Sequence, residues 1–285
     1  MPVAAACPRA SCDRKVPEFD SASARGLKAA LADVADTLRS HRIWVMLANQ
    51  DVRQRYRRSV LGPFWITLSA VVSIVALALV YTQIFKVPPA EYLVFLTTGF
   101  VAWMFISSLF IESCTVFIAA EGIIRQVNLP LGIHVFRMVW RSLISLGHNL
   151  VIVVLVLFYM GASWNLSMLA IVPGLLITMI GALALGYLLG SLGTRYRDIP
   201  PIMNSLVQVL FYVTPVIWPP KLLQGNEHLL TFNPFYYFLE ILRLPMMGQW
   251  PPAEMWLAAS AMTIVLVIAA VAFMARYRWR VAYWI

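Results

Sequence analysis

Charged residues are scarce in this chain of 285 residues, where aspartate, glutamate, lysine and arginine together make up 12%. Soluble proteins carry about 25% charged and about 45–50% apolar residues. Here hydrophobic residues reach 61%, and the mean hydropathy is +0.77. The composition therefore excludes an ordinary soluble enzyme or binding domain and indicates an integral membrane protein.

The motifs of several enzyme classes are also missing. The sequence contains no Gly-Lys pair, so it lacks the glycine-rich loop with which many ATPases bind phosphate. It has no His-Glu-x-x-His, Cys-x-x-Cys or Gly-x-Ser-x-Gly motif, and its three cysteines and four histidines are scattered. We therefore predict no catalytic residue, metal site or disulfide framework, and the composition favours transport over catalysis.

Long uncharged stretches locate the membrane spans. About 20 apolar residues cross the hydrocarbon core as a helix, and helices are expected because lipid offers the backbone no hydrogen-bond partner. The stretch between Arg141 and Arg195 is long enough for two crossings. The sequence thus predicts an all-α membrane protein with six spans, at about 62–86, 92–119, 139–160, 167–192, 201–218 and 255–275.

Basic residues are distributed unequally between the two sides of this topology. The chain has 22 lysines and arginines against 13 acidic residues, and 19 of the 22 fall on the side that carries both termini. Because cytoplasmic loops carry an excess of Lys and Arg, we predict that both termini are cytoplasmic.

Two helices are predicted before the first span. Residues 1–40 form a cytoplasmic tail whose first 24 residues are expected to be disordered, followed by a short amphipathic helix. Its apolar stripe is Leu27, Leu31, Val34 and Leu38, with Asp33 and Asp36 off that stripe.

Residues 41–60 are predicted to form an amphipathic helix in the cytoplasmic interface. Its apolar face carries Trp44, Ala48, Val52 and Tyr56, and Arg42, Arg53 and Arg57 lie opposite. Asp51 is placed four residues before Arg55 and is expected to pair with it. A solvated helix ahead of the first span is the alternative.

Two connections carry helical signals of their own. Residues 219–254 are apolar but interrupted by prolines, which predicts two short helices dipping into the external leaflet, or alternatively a loop packed on the bundle. In the loop 120–138, a short helix begins near Glu121, and Pro130 ends it near Asn128. This helix is a candidate contact for a separate ATPase subunit, with a plain turn as the alternative.

Four motifs, in order along the chain, resemble those of polysaccharide-exporting ABC-2 type permeases, the group of the O-antigen exporter subunit Wzm and the teichoic-acid exporter subunit TagG. They are residues 51–65 (DVRQRYRRSVLGPFW), 194–198 (TRYRD), 214–219 (TPVIWP) and 232–234 (FNP) with Glu240 and Arg243. The likeness covers about residues 41–280. Departures occur in the loop at 124–131 and at Thr214, where the group has Ser.

The resemblance implies a transmembrane domain over residues 61–285 and a permease that exports an undecaprenyl-linked, O-antigen-like polysaccharide. It implies a bacterial inner-membrane location, a homodimer and two copies of a separate ABC ATPase that carries ATP and Mg²⁺. The chain itself is expected to bind no cofactor and no nucleic acid. Its other partners are then the polysaccharide substrate and membrane lipids.

Three groups of site residues are predicted from the motifs and helix faces. The lipid-linked phosphate at the interface is assigned to Arg53, Arg55, Arg57 and Arg58, with pure membrane anchoring as the alternative. The polysaccharide channel is assigned to Ser69, Ser73, Tyr81, Phe85, Phe105, Glu112, Asn204, Gln208, Phe211 and Tyr212, with helix packing as the alternative. ATPase coupling is assigned to Glu121, Gly122, Ile124, Arg125, Arg195, Arg197 and Asp198.

Other functions compatible with this topology stay open. An ABC-2 exporter of a smaller lipid or drug would share the six spans without requiring the motif at 51–65. A polytopic glycosyltransferase or lipid-carrier enzyme would need clustered carboxylates at one membrane face, whereas Glu91, Glu227, Glu240 and Glu254 are spread along the chain.

Overall fold

The computed structural model describes residues 26–55, 57, 62, 64–127, 129–161, 165–223 and 225–284. Within these ranges the chain is helical and has no strand, which confirms the predicted all-α class. The helices are α1 (Leu27–Arg39), α2 (His41–Arg55), α3 (Phe64–Phe85), α4 (Pro89–Thr115), α5 (Glu121–Gln126), α6 (Gly132–Tyr159), α7 (Ile171–Arg195), α8 (Ile199–Val213), α9 (Pro234–Met246) and α10 (Ala253–Trp284). The predicted disordered tail before residue 25 lies outside the described residues.

Five helices are long and apolar enough to cross a bilayer, namely α3, α4, α6, α10 and α7 together with the 3-10 turn Leu166–Ala170 before it. The predicted fifth span is shorter than expected. Helix α8 has 15 residues, about 22 Å at 1.5 Å per residue, and ends at Val213 where residue 218 was predicted. Thr214 is extended because the following proline disfavours helical geometry.

The third and sixth spans are longer than predicted. Helix α6 begins at Gly132, where residue 139 was expected, and α10 continues to Trp284, where 275 was expected. Both extensions contain arginines, which the sequence prediction places outside the membrane. Inside the fold, Arg137 and Arg278 have carboxylate partners, so their charges do not end the helices.

Helix α4 is the centre of the bundle, because α3, α6, α7, α8 and α9 all pack against it. Small residues on α7 allow the helices to approach closely. A Cβ on Gly193 would overlap the carbonyl oxygen of Cys114, and one on Gly174 would lie 2.7 Å from the carbonyl oxygen of Ile241. Alanine at either position would push α7 away from its neighbours.

The segment between α8 and α10 contains 3-10 turns at Pro220–Leu223 and Glu227–Phe232 before α9. Helix α9 packs against α4, α7 and α10 and buries Leu239, Ile241 and Leu242. Short helices are therefore present where the sequence predicts them, and α9 is also packed against the bundle.

One end of the bundle, called the basic end here, holds α1, α2, α5, the α7–α8 turn and the last turns of α10. The N–H of Gly26, just before α1, donates to the carbonyl of Ala275 in α10 at 3.1 Å. The guanidinium of Arg195, at the end of α7, lies 5.1 Å from the centre of the Trp284 ring. These contacts bring together segments that are far apart in sequence.

The structure shows which face of α1 packs against the bundle. The face that packs against the bundle consists of Ala30, Asp33 and Thr37, all buried. Of the predicted apolar stripe, Leu27, Leu31 and Leu38 are exposed, whereas Val34 is half-buried and packs against the core. The helix is turned this way because Asp33 forms hydrogen bonds with three other helices, as described next.

Candidate functional site

Asp33 is a buried carboxylate that joins α1 to the starts and ends of other helices. It accepts hydrogen bonds from the backbone N–H groups of Leu131 at 3.1 Å and Gly132 at 3.0 Å. These are the first N–H groups of α6, where the helix dipole favours a negative charge. The hydroxyl of Tyr187 on α7 and Nη2 of Arg278 on α10 also donate to it, at 3.3 and 2.8 Å.

A second cluster joins α2, α4 and α6 at the basic end. Arg141 donates from Nη1 to Asp51 at 2.9 Å and from Nη2 to Glu112 at 2.6 Å. Arg137, one turn earlier on α6, makes a bidentate pair with Asp51, in which Nε donates at 2.6 Å. We call Asp51, Arg55, Glu112, Arg137 and Arg141 the ion-pair cluster.

The cluster corrects the predicted pairing of Asp51 with Arg55. Asp51 bonds instead to the two arginines of α6, and Arg55 approaches Glu112 at 4.0 Å while remaining half exposed. Three arginines thus face two carboxylates. The cluster therefore carries one excess positive charge, and the half-exposed Arg55 is the member most open to an external anion.

Sequence reasoning did not identify Arg137 and Arg141 as site residues. Two signals could have found them. The arginines are four residues apart and so share one face of α6. In addition, Glu112 was recognised as a carboxylate inside a span, and such a group needs a cationic partner.

Aromatic contacts hold α2 against the bundle. The Trp44 ring lies 5.6 Å from Phe136 and 5.8 Å from Trp140, centre to centre, and its Nε1 donates to the carbonyl of Thr37 at 3.2 Å. Ala48 is fully buried. Trp44 of the predicted apolar face therefore contacts α6, whereas Tyr56 lies outside the described residues. The outward face of α2 carries Arg42, Met46 and Arg53.

Two of the predicted phosphate-binding arginines, Arg53 and Arg55, lie on different faces of α2. Arg53 and Arg55 are two positions apart on α2, about 200° around the helix axis. Arg53 points outward and Arg55 points toward Glu112. Arg57 is exposed in the turn that follows, and Arg58 lies outside the described residues. Gly62 takes φ +56°, which permits the bend into α3.

The predicted channel residues lie on three helices. On α3, the hydroxyls of Ser69 and Ser73 donate to the carbonyls of Trp65 and Ser69, each at 2.9 Å, so both are satisfied within the helix. The rings of Tyr81 and Phe85, further along α3, lie 5.3 Å apart.

On α8, Asn204, Gln208 and Tyr212 are exposed, and the Tyr212 side chain is 68% exposed. Phe211 instead packs against Phe100 and Trp103 of α4. On α4, Phe105 is buried in the core, and Glu112 belongs to the ion-pair cluster. Helices α3 and α8 both pack on α4.

The predicted coupling residues lie together at the basic end. Helix α5 forms where expected, and within it Arg125 pairs with Glu121 at 2.8 Å. Gly122 is exposed and Ile124 half-buried in the same helix. In the α7–α8 turn, Arg195, Arg197 and Asp198 are exposed. The end of α7 packs on residues 114–117, just before α5.

The motifs at 214–219 and 232–234, with Glu240 and Arg243, contact one another toward the other end of the bundle. Arg243 on α9 is buried, pairs with Glu240 and donates from Nη1 to the carbonyl of Pro215 at 2.6 Å. Its guanidinium lies 4.4 Å from the centre of the Phe95 ring. Asn233 caps α9 by accepting from the N–H of Phe235, and its Nδ2 donates to Thr214. These contacts fix the non-helical segment after α8.

The chain is similar to proteins of one known family. The family model described as "ABC-2 type transporter" matches residues 42–247. The chain is 23% identical over 232 residues to the O-antigen export system permease protein RfbA of Myxococcus xanthus, covering 79% of this chain and 88% of that protein. It is also 23% identical over 192 residues to a protein of the same name from Klebsiella pneumoniae, covering 67% of this chain and 74% of that one.

Proposed function

This chain belongs to the ABC-2 type transporter family, and we propose that it is the membrane subunit of an exporter for a lipid-linked, O-antigen-like polysaccharide. The observation that carries the proposal is the likeness to the O-antigen export permease of Myxococcus xanthus along 88% of that protein's length. The multi-pass helical fold supports the same function, since it provides five long apolar helices and the shorter α8.

We assign ATP hydrolysis to a separate subunit that binds at the basic end. The sequence has no phosphate-binding Gly-Lys motif with which to hydrolyse ATP itself. Helix α5 and the α7–α8 turn present Arg125, Arg195, Arg197 and Asp198 at one end of the bundle. In a homodimeric exporter, two ATPase copies would each contact one such surface.

This assignment gives the orientation of the chain in the bacterial inner membrane. Most of the lysines and arginines that the structure describes lie at the basic end, and basic segments favour the cytoplasmic side. The end with α9 then faces outward. Cysteine labelling at Asn226 from the exterior, together with a cytoplasmic reporter after Ile285, tests this orientation, and the opposite pattern contradicts it.

The arginines of α2 and the following turn are assigned to the phosphate of the lipid carrier. The ion-pair cluster supports this role because it carries one excess positive charge and its most exposed arginine is Arg55. Arg53 and Arg57 are exposed nearby in sequence and would face lipid headgroups. Phosphate contact by Arg55 would compete with its long pair to Glu112.

The polysaccharide path is assigned to the exposed faces of α3 and α8, completed by a second copy of the chain. Asn204, Gln208 and Tyr212 offer amides, a hydroxyl and a ring, groups that suit the hydroxyls and C–H faces of sugars. Weak and repeated contacts are expected, because a tight site would hold a sliding polymer in place.

Complementation tests the proposed function. A host that lacks its own O-antigen permease but retains polymer synthesis should regain surface polysaccharide when this chain is expressed with its cognate ATPase. Lipid-linked polymer should accumulate inside the cell when either subunit is omitted. Surface polysaccharide that stays absent, although both subunits are present in the membrane and form a complex, would contradict the proposal.

A second candidate function is export of a smaller hydrophobic molecule. An apolar cavity of about 490 Å³ lies between α4, α7, α9 and α10, lined in part by Phe110, Phe235, Phe238 and Leu266. Its size is in the range of small-molecule sites. Drug or lipid efflux that requires this chain, in a host making no polysaccharide, would favour this alternative.

A further inference from the structure

Helix α1 has three distinct faces around its axis. Successive residues are rotated by about 100°, so Ala30, Asp33 and Thr37 form one narrow face, which is buried. Leu27, Leu31 and Leu38 form a second face, about 100° from the first, and half-buried Val34 lies at its edge toward the buried face. A third face carries Ala32, Asp36 and Arg39, all exposed.

The buried face fixes the rotation of α1. Asp33 bonds to the start of α6 through the N–H groups of Leu131 and Gly132, and to Arg278 on α10. A half-turn of α1 would remove this carboxylate from all three donors. The leucine face is therefore held outward by the fold, with exposures of 56% at Leu27, 52% at Leu31 and 53% at Leu38.

Helix α1 lies across the end of the bundle. Just before its first residue it meets α10 through the Gly26–Ala275 hydrogen bond, and at Asp33 it has reached the start of α6. It thus connects the ends of two spanning helices over about 10 Å of its own length. A helix in this position runs near the membrane surface.

The neighbouring residues of α10 indicate where that surface lies. Beyond Ala275, α10 carries exposed Arg276, Arg280 and Tyr283 and half-buried Trp279. Aromatic and basic side chains in this combination are typical of the boundary between hydrocarbon and headgroups. The leucines of α1 are at the same end of the bundle, connected to α10 through Arg278.

The outward face of α2 is different. Arg42, Asn49, Gln50 and Arg53 surround Met46 there, so that face is mainly polar. Three leucines along one face of a 13-residue helix are the pattern of a helix whose side lies in lipid. Protein, lipid and water would each contact one face of α1, which accounts for all three faces at once.

We propose that the leucine face of α1 inserts into the hydrocarbon of the leaflet at the basic end, so that α1 is an in-plane membrane anchor. Helix α1 lies outside residues 42–247 matched by the family model, and this inference does not depend on the cargo. Asp33 locks the anchor to α6, α7 and α10. The bilayer therefore contacts the bundle through a helix that also caps α6.

Fluorescence quenching tests the anchor in the complete chain, reconstituted in nanodiscs of phosphatidylethanolamine and phosphatidylglycerol. The native cysteines are replaced (Cys7→Ser, Cys12→Ser, Cys114→Ala), and a polarity-sensitive fluorophore is attached at Leu31→Cys. Ala32→Cys, one residue away on the water face, is the matched control, and Leu38→Cys is a second probe of the leucine face.

The Leu31 and Leu38 probes should be quenched several-fold more strongly by a nitroxide on lipid acyl chains than by aqueous iodide. The Ala32 probe should show the reverse. Equal iodide quenching at Leu31, Leu38 and Ala32 would overturn the proposal. So would shielding that appears only after the ATPase is added, or a disulfide between the Leu31→Cys residues of two copies, since these place a protein on the leucine face.

Discussion

Asp33 and Arg278 are 245 positions apart in sequence, yet Nη2 of Arg278 donates to Oδ1 of Asp33 at 2.8 Å. The same carboxylate caps the first N–H groups of α6. One side chain of α1 thus ties the start of the third span to the end of the last helix. This contact also determines which face of α1 is left exposed.

Asp33→Ala should destabilise the chain by roughly 2–4 kcal/mol, because it removes a helix cap and leaves buried donors without an acceptor. Thermal unfolding of the protein in nanodiscs measures this change. Asp36→Ala is the matched control on the same helix, since Asp36 is exposed and pairs with Arg39 at 3.7 Å. Equal unfolding temperatures for the two variants would contradict the role of Asp33.

Arg141 and Glu112 should be energetically coupled. Arg141→Ala removes a charged partner of the partly buried Glu112, and Glu112→Gln removes one of the two charged partners of the partly buried Arg141. A double-mutant cycle should give a coupling energy of about 1–3 kcal/mol, measured by thermal unfolding. Arg125 and Glu112, which do not pair with each other in the structure, provide the control cycle. Equal coupling energies in the two cycles would contradict the ion pair between Arg141 and Glu112.

The helical class, the six apolar helices and the short helix α5 could be predicted from local sequence. Uncharged stretches locate spans, and Pro130 follows the end of α5. The start of α6 could not be predicted in this way, since Arg137 was counted as a residue outside the membrane. Its charge is neutralised by Asp51, 86 residues earlier, and local patterns carry no information on that contact.

For the site too, residues within one short segment could be predicted, and contacts between distant segments could not. The arginines of residues 53–58 were recognised from a motif and helix α5 from its start and stop residues, because each lies within one short segment. Asp33 was placed off the apolar stripe of α1 and was not recognised as buried. Its partners are on α6, α7 and α10, so only the tertiary structure shows why a carboxylate faces inward there.

The interface arginines should be needed for export beyond their effect on insertion. Changing Arg53, Arg57 and Arg58 together to Gln should reduce surface polysaccharide while membrane abundance stays the same. The corresponding Lys variant keeps the charge but loses bidentate phosphate geometry. A defect in the Lys variant indicates phosphate contact, and full export by the Gln variant would leave these residues only an anchoring role.

Bulky side chains on the exposed faces of α3 and α8 should block the polysaccharide path. Ser73→Trp and Gln208→Trp should abolish surface polysaccharide, whereas Gln208→Ala should reduce it modestly because a single contact to a sliding polymer is weak. Leu155→Trp is the matched control, since Leu155 is exposed on α6 and outside the predicted path. Full export by both tryptophan variants, at normal membrane abundance, would show that the exposed faces of α3 and α8 do not line the polysaccharide path.

The most direct test of the central claim is transfer of lipid-linked polysaccharide across a vesicle membrane by purified components. Vesicles containing this chain and its cognate ATPase should make the polymer accessible to a glycan-degrading enzyme on the opposite side, and only when ATP is supplied. Vesicles with this chain alone should hydrolyse no ATP and move no polymer. Transfer without the ATPase, or ATP hydrolysis by the isolated chain, would contradict the account.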